Sequence, residues 1–424
     1  MNQLESHNLS LRDYLELDDS MRDVATMREM TDLDLIDGVL RRCLSIDDMR
    51  EAGCFFTGSS LARSTLESFS TPVNSDAVVL DPTCGAGNLL IVCSRELEVK
   101  RTLSATLDIW GKVLWGFDVH SSFVEATKLR LIVEALYRGA RKDCSIEHAF
   151  NLLSNILCND AMLIEADELK QVTHVIMNPP FSDWASPRTN YWKMGKVNAA
   201  GVIFDKYLRV LPTGCLISAI LPDVLRSGSR YSHFRDYVNT RFIANCRIWG
   251  RFNTKTDVDV FVLSGEVVKL SQDKVQWQKR LHEYTKLSEK YDVRVGSLVA
   301  YRDPEEGNEY LYIHPKNCPT WGQINSKDIN ERRKFKGTVF QPPFVVVKRT
   351  SSPSDRSRAA ATIINVNEKV AVENHMIVIT PKSSKLKDCK ELVRILNSQA
   401  TNDFLNSRVR MRHLTVSAIK DIPI

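Results

Sequence analysis

The sequence predicts an α/β chain: a mostly parallel sheet with helices on both faces, followed by a mixed α+β C-terminal domain. Three observations carry this. Strand-like runs at Ala77–Leu80, Val113–Phe117, Val172–Met177, Cys215–Leu221 and Asp259–Leu263 alternate with helical stretches such as Ser121–Tyr137. The first run opens into a glycine-rich turn, and the third ends at a Pro-Pro pair, as loops at the ends of parallel strands do. After Leu263 the alternation stops.

Each segment follows from its pattern. Leu11–Met49 reads as helical, with Leu33, Ile36, Leu40 and Leu44 at helix spacing, so residues 1–50 form an N-terminal helical segment. Residues 51–270 hold the alternating α/β domain. The charged stretch Gln272–Lys290 reads as a helical connector, placed at 271–290. Residues 291–424 are the C-terminal domain, with β-rich segments Val293–Ala300, Phe344–Lys348 and Met376–Ile379 and a helix at Leu392–Asn406.

Composition narrows the function. The 424 residues are 43% hydrophobic and 26% charged, ordinary for a globular protein. No apolar run reaches membrane-spanning length, and the acidic start is unlike a signal peptide, so neither membrane nor export is expected. Ten cysteines lie scattered without CxxC pairs, which points to reduced thiols in a cytoplasm and to no metal. Charge is segregated: residues 1–50 carry 6 Lys/Arg against 12 Asp/Glu, residues 321–424 carry 19 against 9. A basic C-terminal third suits phosphate binding, although a solvated basic face has the same composition.

The run Val78-Val-Leu-Asp81-Pro-Thr83-Cys84-Gly85-Ala-Gly87-Asn88 is a strand entering a turn whose glycines let the backbone approach a ligand. Asp81 stands where a dinucleotide loop usually has glycine, which favours a ligand bearing an amino-acid ammonium over a pyrophosphate. Asp118, in Leu114-Trp-Gly-Phe-Asp118 with Val119 next, is placed to accept from both ribose hydroxyls. It lies 31 positions after Gly87, beyond the dinucleotide spacing of about 20; Lys100–Trp110, as an inserted loop or longer helix, accounts for the excess. Asp160, followed by Ala161, is placed for an adenine amino group, and Gly53-Cys-Phe55-Phe56-Thr57 for a backbone and hydroxyl contact. Singly, each acid is as well explained as a helix cap and Thr57 as a turn residue; their order along one α/β unit joins them.

His174-Val-Ile-Met-Asn178-Pro179-Pro180-Phe181 is an apolar strand ending in Asn-Pro-Pro-aromatic. Two prolines stiffen the backbone, so the Asn178 side chain and the Pro179 carbonyl can be aimed into one pocket. Two fixed acceptors can grip both protons of a planar exocyclic amino group and localise its lone pair for attack on an electrophilic methyl. Phe181 offers a face on which the planar group can stack.

With these motifs the chain resembles the gamma-class amino-adenine DNA methyltransferases of restriction-modification systems, from Gly53 onward. The resemblance implies a Rossmann-like class I methyltransferase domain that uses S-adenosyl-L-methionine, followed by a target-recognition domain. Phe55–Thr57 matches the family's N-terminal cofactor motif and Asp81–Asn88 its glycine motif. Asp118 matches the ribose-binding acid, Asp160 the cofactor-adenine contact, and Asn178–Phe181 the catalytic tetrapeptide. The cofactor set is then Phe56, Thr57, Asp81, Thr83, Cys84, Gly85, Gly87, Asn88, Asp118, Val119, Asp160, Ala161 and Asn178. Phe252, in Ile248-Trp-Gly-Arg-Phe252, falls where the family sets a second aromatic against the flipped base. Gly58 stands where the family usually has proline, and His120 where a second acid is common.

Adenine in a duplex hides its amino group, so base flipping is implied, with Ser182–Lys196 as a wall around the extruded base or a surface loop packing its own aromatics. The C-terminal domain would hold double-stranded DNA through Lys348, Arg349, Arg356 and Arg358. A cognate restriction endonuclease or other defence-complex subunits are possible partners, in the cytoplasm or nucleoid. The same grip suits the amino group of cytosine, of guanine in ribosomal RNA, or of a glutamine side chain. A non-catalytic specificity subunit and a partner-dependent modification subunit complete the alternatives.

Overall fold

The computed structural model describes residues 4–43, 56–253, 256–278 and 283–424. The chain divides into two compact units, Met1–Trp277 and Gln278–Ile424, and the division falls inside the stretch read as a connector.

The first unit is built on a seven-stranded sheet. Its strands in chain order are β1 (Val79–Asp81), β2 (Leu114–Asp118), β3 (Ile156–Cys158), β4 (His174–Met177), β7 (Leu216–Pro222), β8 (Phe242–Asn253) and β9 (Thr256–Val267). A small hairpin, β5 (Asp183–Ala185) with β6 (Lys196–Asn198), stands apart from it. The spatial order is β3-β2-β1-β4-β7-β9-β8. β3 through β7 run parallel, and β9 and β8 close the edge antiparallel. From β1 the chain steps outward to β2 and β3, then returns to the other side at β4. The order therefore reverses between β1 and β4, where diverging loops leave a crevice beyond the carboxyl ends of the strands.

Residue alternation explains why the sheet is buried on both faces. On β4, Val175 and Met177 enter one apolar cluster and Ile176 the other; on β9, Phe261 and Leu263 face one side, Val260 and Val262 the opposite. The helix Ser121–Tyr137 is buried around most of its circumference, as a helix covered on several sides must be.

What covers it is the N-terminal segment. Helices Glu5–Glu16 and Val24–Met30 pack on Ser121–Tyr137. Asn8 donates to the Ser122 carbonyl at 2.9 Å, and Arg12 pairs with Glu125 at 2.6 Å. The fully buried Arg130 donates to the carbonyls of Met30 and Asp32, and to the Ala86 carbonyl and Asn88 Oδ1 at 2.6 and 2.7 Å. The helical reading of this segment extends to Leu44–Met49, which lie outside the described residues, as do Gly53, Cys54 and Phe55.

Three expectations need correction. The described part of the connector holds one short helix, Leu287–Lys290, not a helix throughout. Val275 N and Trp277 Nε1 both donate to Asn239 Oδ1 at 3.1 Å, and the Trp277 ring packs on Phe261 and Phe234, so tertiary contacts outweigh the local charge pattern. The helix expected at Leu392–Asn406 is two helices, Leu386–Leu396 and Gln399–Arg408. Ser398 breaks it, its hydroxyl accepting from Thr401 N as the cap of the second helix. Strand β8 was not anticipated, because its edge position leaves polar Asn245 and Arg247 among its residues. Lys100–Trp110, for its part, contributes to the helix Leu103–Val113, so the long spacing before Asp118 holds a helix.

The second unit has a five-stranded and a three-stranded sheet. On the strand Phe344–Lys348 of the larger sheet, Val345 and Val347 enter one cluster, Phe344 and Val346 the other. Met376–Pro381 pairs with it antiparallel and alternates in the same way.

Candidate functional site

At the reversal between β1 and β4 lies an open cavity. β1 ends in Asp81, β2 in Asp118, and Asn178 follows β4 directly; all three line it. So do Phe56, Thr57, Thr83, Cys84, Gly85, Val119, Asp160, Ala161 and Pro180. Residues far apart in sequence meet because the parallel strands all point the same way.

The glycine turn fits its local geometry. Gly85 has φ +54°, and a Cβ there would come within 2.9 Å of the Phe56 ring. Gly87, at φ +83°, caps the helix Asn88–Ser94. Side chains are excluded at both positions, which keeps the floor of the cavity low.

Two carboxylates are held at this floor. Asp81 is 1% exposed and accepts from the Thr83 amide at 3.1 Å. Burial pushes its carboxyl up to about 8; the Thr83 amide opposes the rise and the charge of Asp118 adds to it. Asp118 accepts from the Gly85 amide at 3.0 Å through one oxygen and from the His120 amide at 2.9 Å through the other. Burial raises it as well, against those hydrogen bonds and the charge of His120. Two desolvated acids side by side favour a cation in the cavity. Thr83 Oγ1 is buried and finds no partner among the described residues. Asp160 is exposed at the rim and accepts from the Met162 amide at 2.8 Å.

Several expected site residues do other work. Asn88 does not line the cavity: its amide donates to the carbonyls of Leu33 and Thr57 at 2.9 and 2.7 Å, and its oxygen accepts from Arg130. Both of its donors are therefore committed, and it supports Thr57 from behind. Gly87 also lies beneath the cavity wall, shaping the turn. Pro179 is buried, and Asn178 before it is partly exposed. Phe181 and Phe252 meet edge to face at 5.7 Å between centroids, and Phe252 is 5% exposed. The two rings are thus in contact, with Phe252 the more buried of the pair.

In the second unit, Arg356 is exposed and Lys348 and Arg349 are half-buried. Arg358 is a correction: it is fully buried and donates to the carbonyls of Val409 and Met411 at 3.0 and 3.2 Å, so it ties the C-terminal chain down and meets no solvent. Sequence reasoning missed His120, Phe123 and Ile203 in the cavity wall. Phe123, which belongs to no motif, stands edge-on to both Phe56 and His120. Trp184, from the expected wall, does line the cavity, while Tyr191 and Trp192 donate to Asp205 and pack inward. Among the described residues there is no cluster of three or more His, Cys, Asp or Glu that could hold a metal, and no helix long and apolar enough to cross a membrane.

Residues 39–202 match the family model described as N-6 DNA Methylase. No curated protein matches the sequence. Among solved structures, the type IIL restriction-modification enzyme MmeI in complex with DNA is similar at 11% identity and a TM-score of 0.55, over 91% of this chain and 70% of that one. This is a likeness of fold. The type IIG restriction endonuclease BpuSI matches at 13% identity and TM-score 0.47, over 95% of this chain and 61% of its own. A modification subunit of a putative type I restriction enzyme from Vibrio vulnificus YJ016 matches at 14% identity and TM-score 0.41, over 66% and 54%. The chain thus spans less than two thirds of the length of these last two. The motif-bearing strands β1 to β4, with the glycine turn and the Asn-Pro-Pro-Phe loop, all fall inside the segment that matches the N-6 DNA methylase model.

Proposed function

We propose that the chain binds S-adenosyl-L-methionine in the cavity of its first unit and methylates the exocyclic amino group of adenine in duplex DNA. The observation that carries this reading is the convergence of Asp81, Asp118 and Asn178 on one cavity within the segment that matches the N-6 DNA methylase model.

The residues suit the cofactor. Asp118, and Asp81 once its proton is expelled, offer negative charge to a cationic ligand, and Thr83 offers a hydroxyl. Asp118 would hold ribose hydroxyls with its remaining lone pairs, and Asp160 the adenine amino group at the rim. Phe56, Phe123 and Val119 give the ring apolar walls. When bound, the cofactor supplies an electrophilic methyl group on a sulfonium.

The chain's own work is positioning. Asn178 Oδ1 and the Pro179 carbonyl accept the two N–H groups of the target base, which localises the nitrogen lone pair and fixes its direction. Positive charge develops on that nitrogen during transfer, and both acceptors strengthen as it does. Phe181 stacks on the extruded base from one face, with Phe252 bracing it. The second unit, as a target-recognition domain, would grip the DNA backbone with Lys348, Arg349 and Arg356. MmeI, the structure most alike in fold among those named, was solved with DNA.

The test is transfer of a radiolabelled methyl group to duplex DNA followed by identification of the modified base. Label in N6-methyladenine is the expected result; label confined to cytosine, RNA or protein overturns the reading.

A further inference from the structure

The loop that carries Asn178–Phe181 needs a fixed exit as well as a fixed entry. Its entry is strand β4, hydrogen-bonded on both sides. Beyond Phe181 the chain leaves the sheet into the β5–β6 hairpin, and one side chain receives it. Asn198, 6% exposed, donates from Nδ2 to the Phe181 carbonyl at 2.9 Å. Its Oδ1 accepts from the Ala200 amide at 3.2 Å, capping the helix Ala199–Val210. Its own amide donates to the Tyr231 hydroxyl at 2.9 Å. Next to it, the Ala199 amide donates to the Ser182 carbonyl at 2.9 Å.

We propose that Asn198 is a positioning residue for the transfer step, latching the Phe181 carbonyl to a helix N-terminus and thereby setting where the Asn178–Phe181 loop points. This rests on the function proposed above. The latch has a rigid base. Asp205, on the same helix, accepts from Tyr191 Oη at 2.6 Å and is paired by Arg209 at 2.9 Å, so the far end of the hairpin is tied to that helix too. The Asn198 side chain, oriented by its cap bond and by Tyr231, thus ties the Phe181 carbonyl to the N-terminus of the helix Ala199–Val210. Methyl transfer depends on near-attack geometry, where a misplacement of about 1 Å can cost about 100-fold in rate.

Cap and latch can be separated. Asp accepts at a helix cap as well as Asn does, but its carboxylate cannot donate to a carbonyl. Asn198→Asp is therefore expected to stay folded with a lowered melting temperature, because a buried carboxylate then faces the Phe181 carbonyl, to keep cofactor affinity and KM within about twofold, and to lose about 10- to 100-fold in kcat. Asn198→Ser, which keeps a capping hydroxyl but cannot reach the Phe181 carbonyl, should do the same, and Tyr231→Phe should show a smaller loss of the same kind. Hydrogen exchange reads the latch without any reaction: faster exchange confined to residues 178–185 is expected in Asn198→Asp. Parental kcat or unchanged exchange in that folded variant overturns the latch, and so does a loss of cofactor affinity equal to the loss in kcat. A parental enzyme that transfers no methyl to DNA, with exchange still responding to Asn198→Asp, faults the proposed function and leaves the latch standing.

Discussion

The two units handle charge in opposite ways. In the first, acids are carried to the ends of parallel strands and buried: Asp81 and Asp118 face a cavity, desolvated enough that both carboxyls rise. In the second, the larger sheet is apolar on both faces and its cations gather on loops at one end. Arg349 donates its amide to the His375 carbonyl at 2.9 Å, Ser351 to the Arg412 carbonyl at 2.7 Å, and Thr350 meets His413. Three separate segments bring Arg349, His375, Arg412 and His413 together there. Buried charges in a cavity are screened little by salt, whereas charges on loops are screened strongly. The first arrangement suits the selection and orientation of a small ligand, and the second suits contact with a polyanion at a solvated surface.

That contrast can be broken at its strongest point first. Asn178→Ala removes an acceptor that matters most as charge develops, so turnover should fall about 100- to 1,000-fold. Calorimetry should show cofactor affinity retained, and a near-parental rate of labelled methyl transfer would remove Asn178 from the chemistry.

Arg358→Ala should cost about 2–4 kcal/mol of stability, because its guanidinium holds buried carbonyls. Denaturant unfolding reads this directly. If Arg358 contacts phosphate instead, the variant will be as stable as the parent and will show a shallower salt dependence of DNA binding.

Asp118→Ala should weaken cofactor binding by about 1–3 kcal/mol, the scale of hydrogen bonds to a charged group. Unchanged affinity in the folded variant would take Asp118 out of the site.

Asp81 gives a pH signature. With its carboxyl raised to about 8, it is mostly protonated at pH 7, and a cationic ligand must expel that proton to use the charge. Cofactor affinity should therefore rise with pH up to about 8, by at most about tenfold per unit for one proton. Titration calorimetry between pH 6 and 8 should show the slope, and Asp81→Asn should flatten it.

The smallest effect belongs to the loop cations. Arg349→Ala and Arg356→Ala should each lower the salt slope of DNA affinity by about 1, equally on target and scrambled duplexes. Parental slopes would mean that neither residue touches the backbone.

Much of the cavity was legible in the sequence because its residues stand at fixed offsets from strand ends. Asp81, Asp118 and Asn178 each close or follow an apolar run, and a parallel sheet brings such ends together whatever the loops between them do. Asn88 was misread because its neighbours Leu33 and Arg130 lie 55 and 42 positions away, and only their arrival commits its amide. Arg358 was misread for the same reason: an arginine two residues from an exposed one has no local mark of burial. Phe252 was assigned by resemblance to the family, and its edge-to-face contact with Phe181 depends on how the β8–β9 edge packs on the sheet.

By itself, then, the sequence determined the parallel α/β frame, the order of its strands' chemistry and the glycine turn, since period-two burial and left-handed backbone are written locally. Tertiary structure alone decided which polar groups are occupied and which remain available. Asn88, Asn198 and Arg358 carry the same donors in any context, and long-range packing settles whether those donors meet a ligand, a loop carbonyl or the core. The physical reason is that a buried polar group must find a partner, and the partner is chosen by the fold and not by the residue.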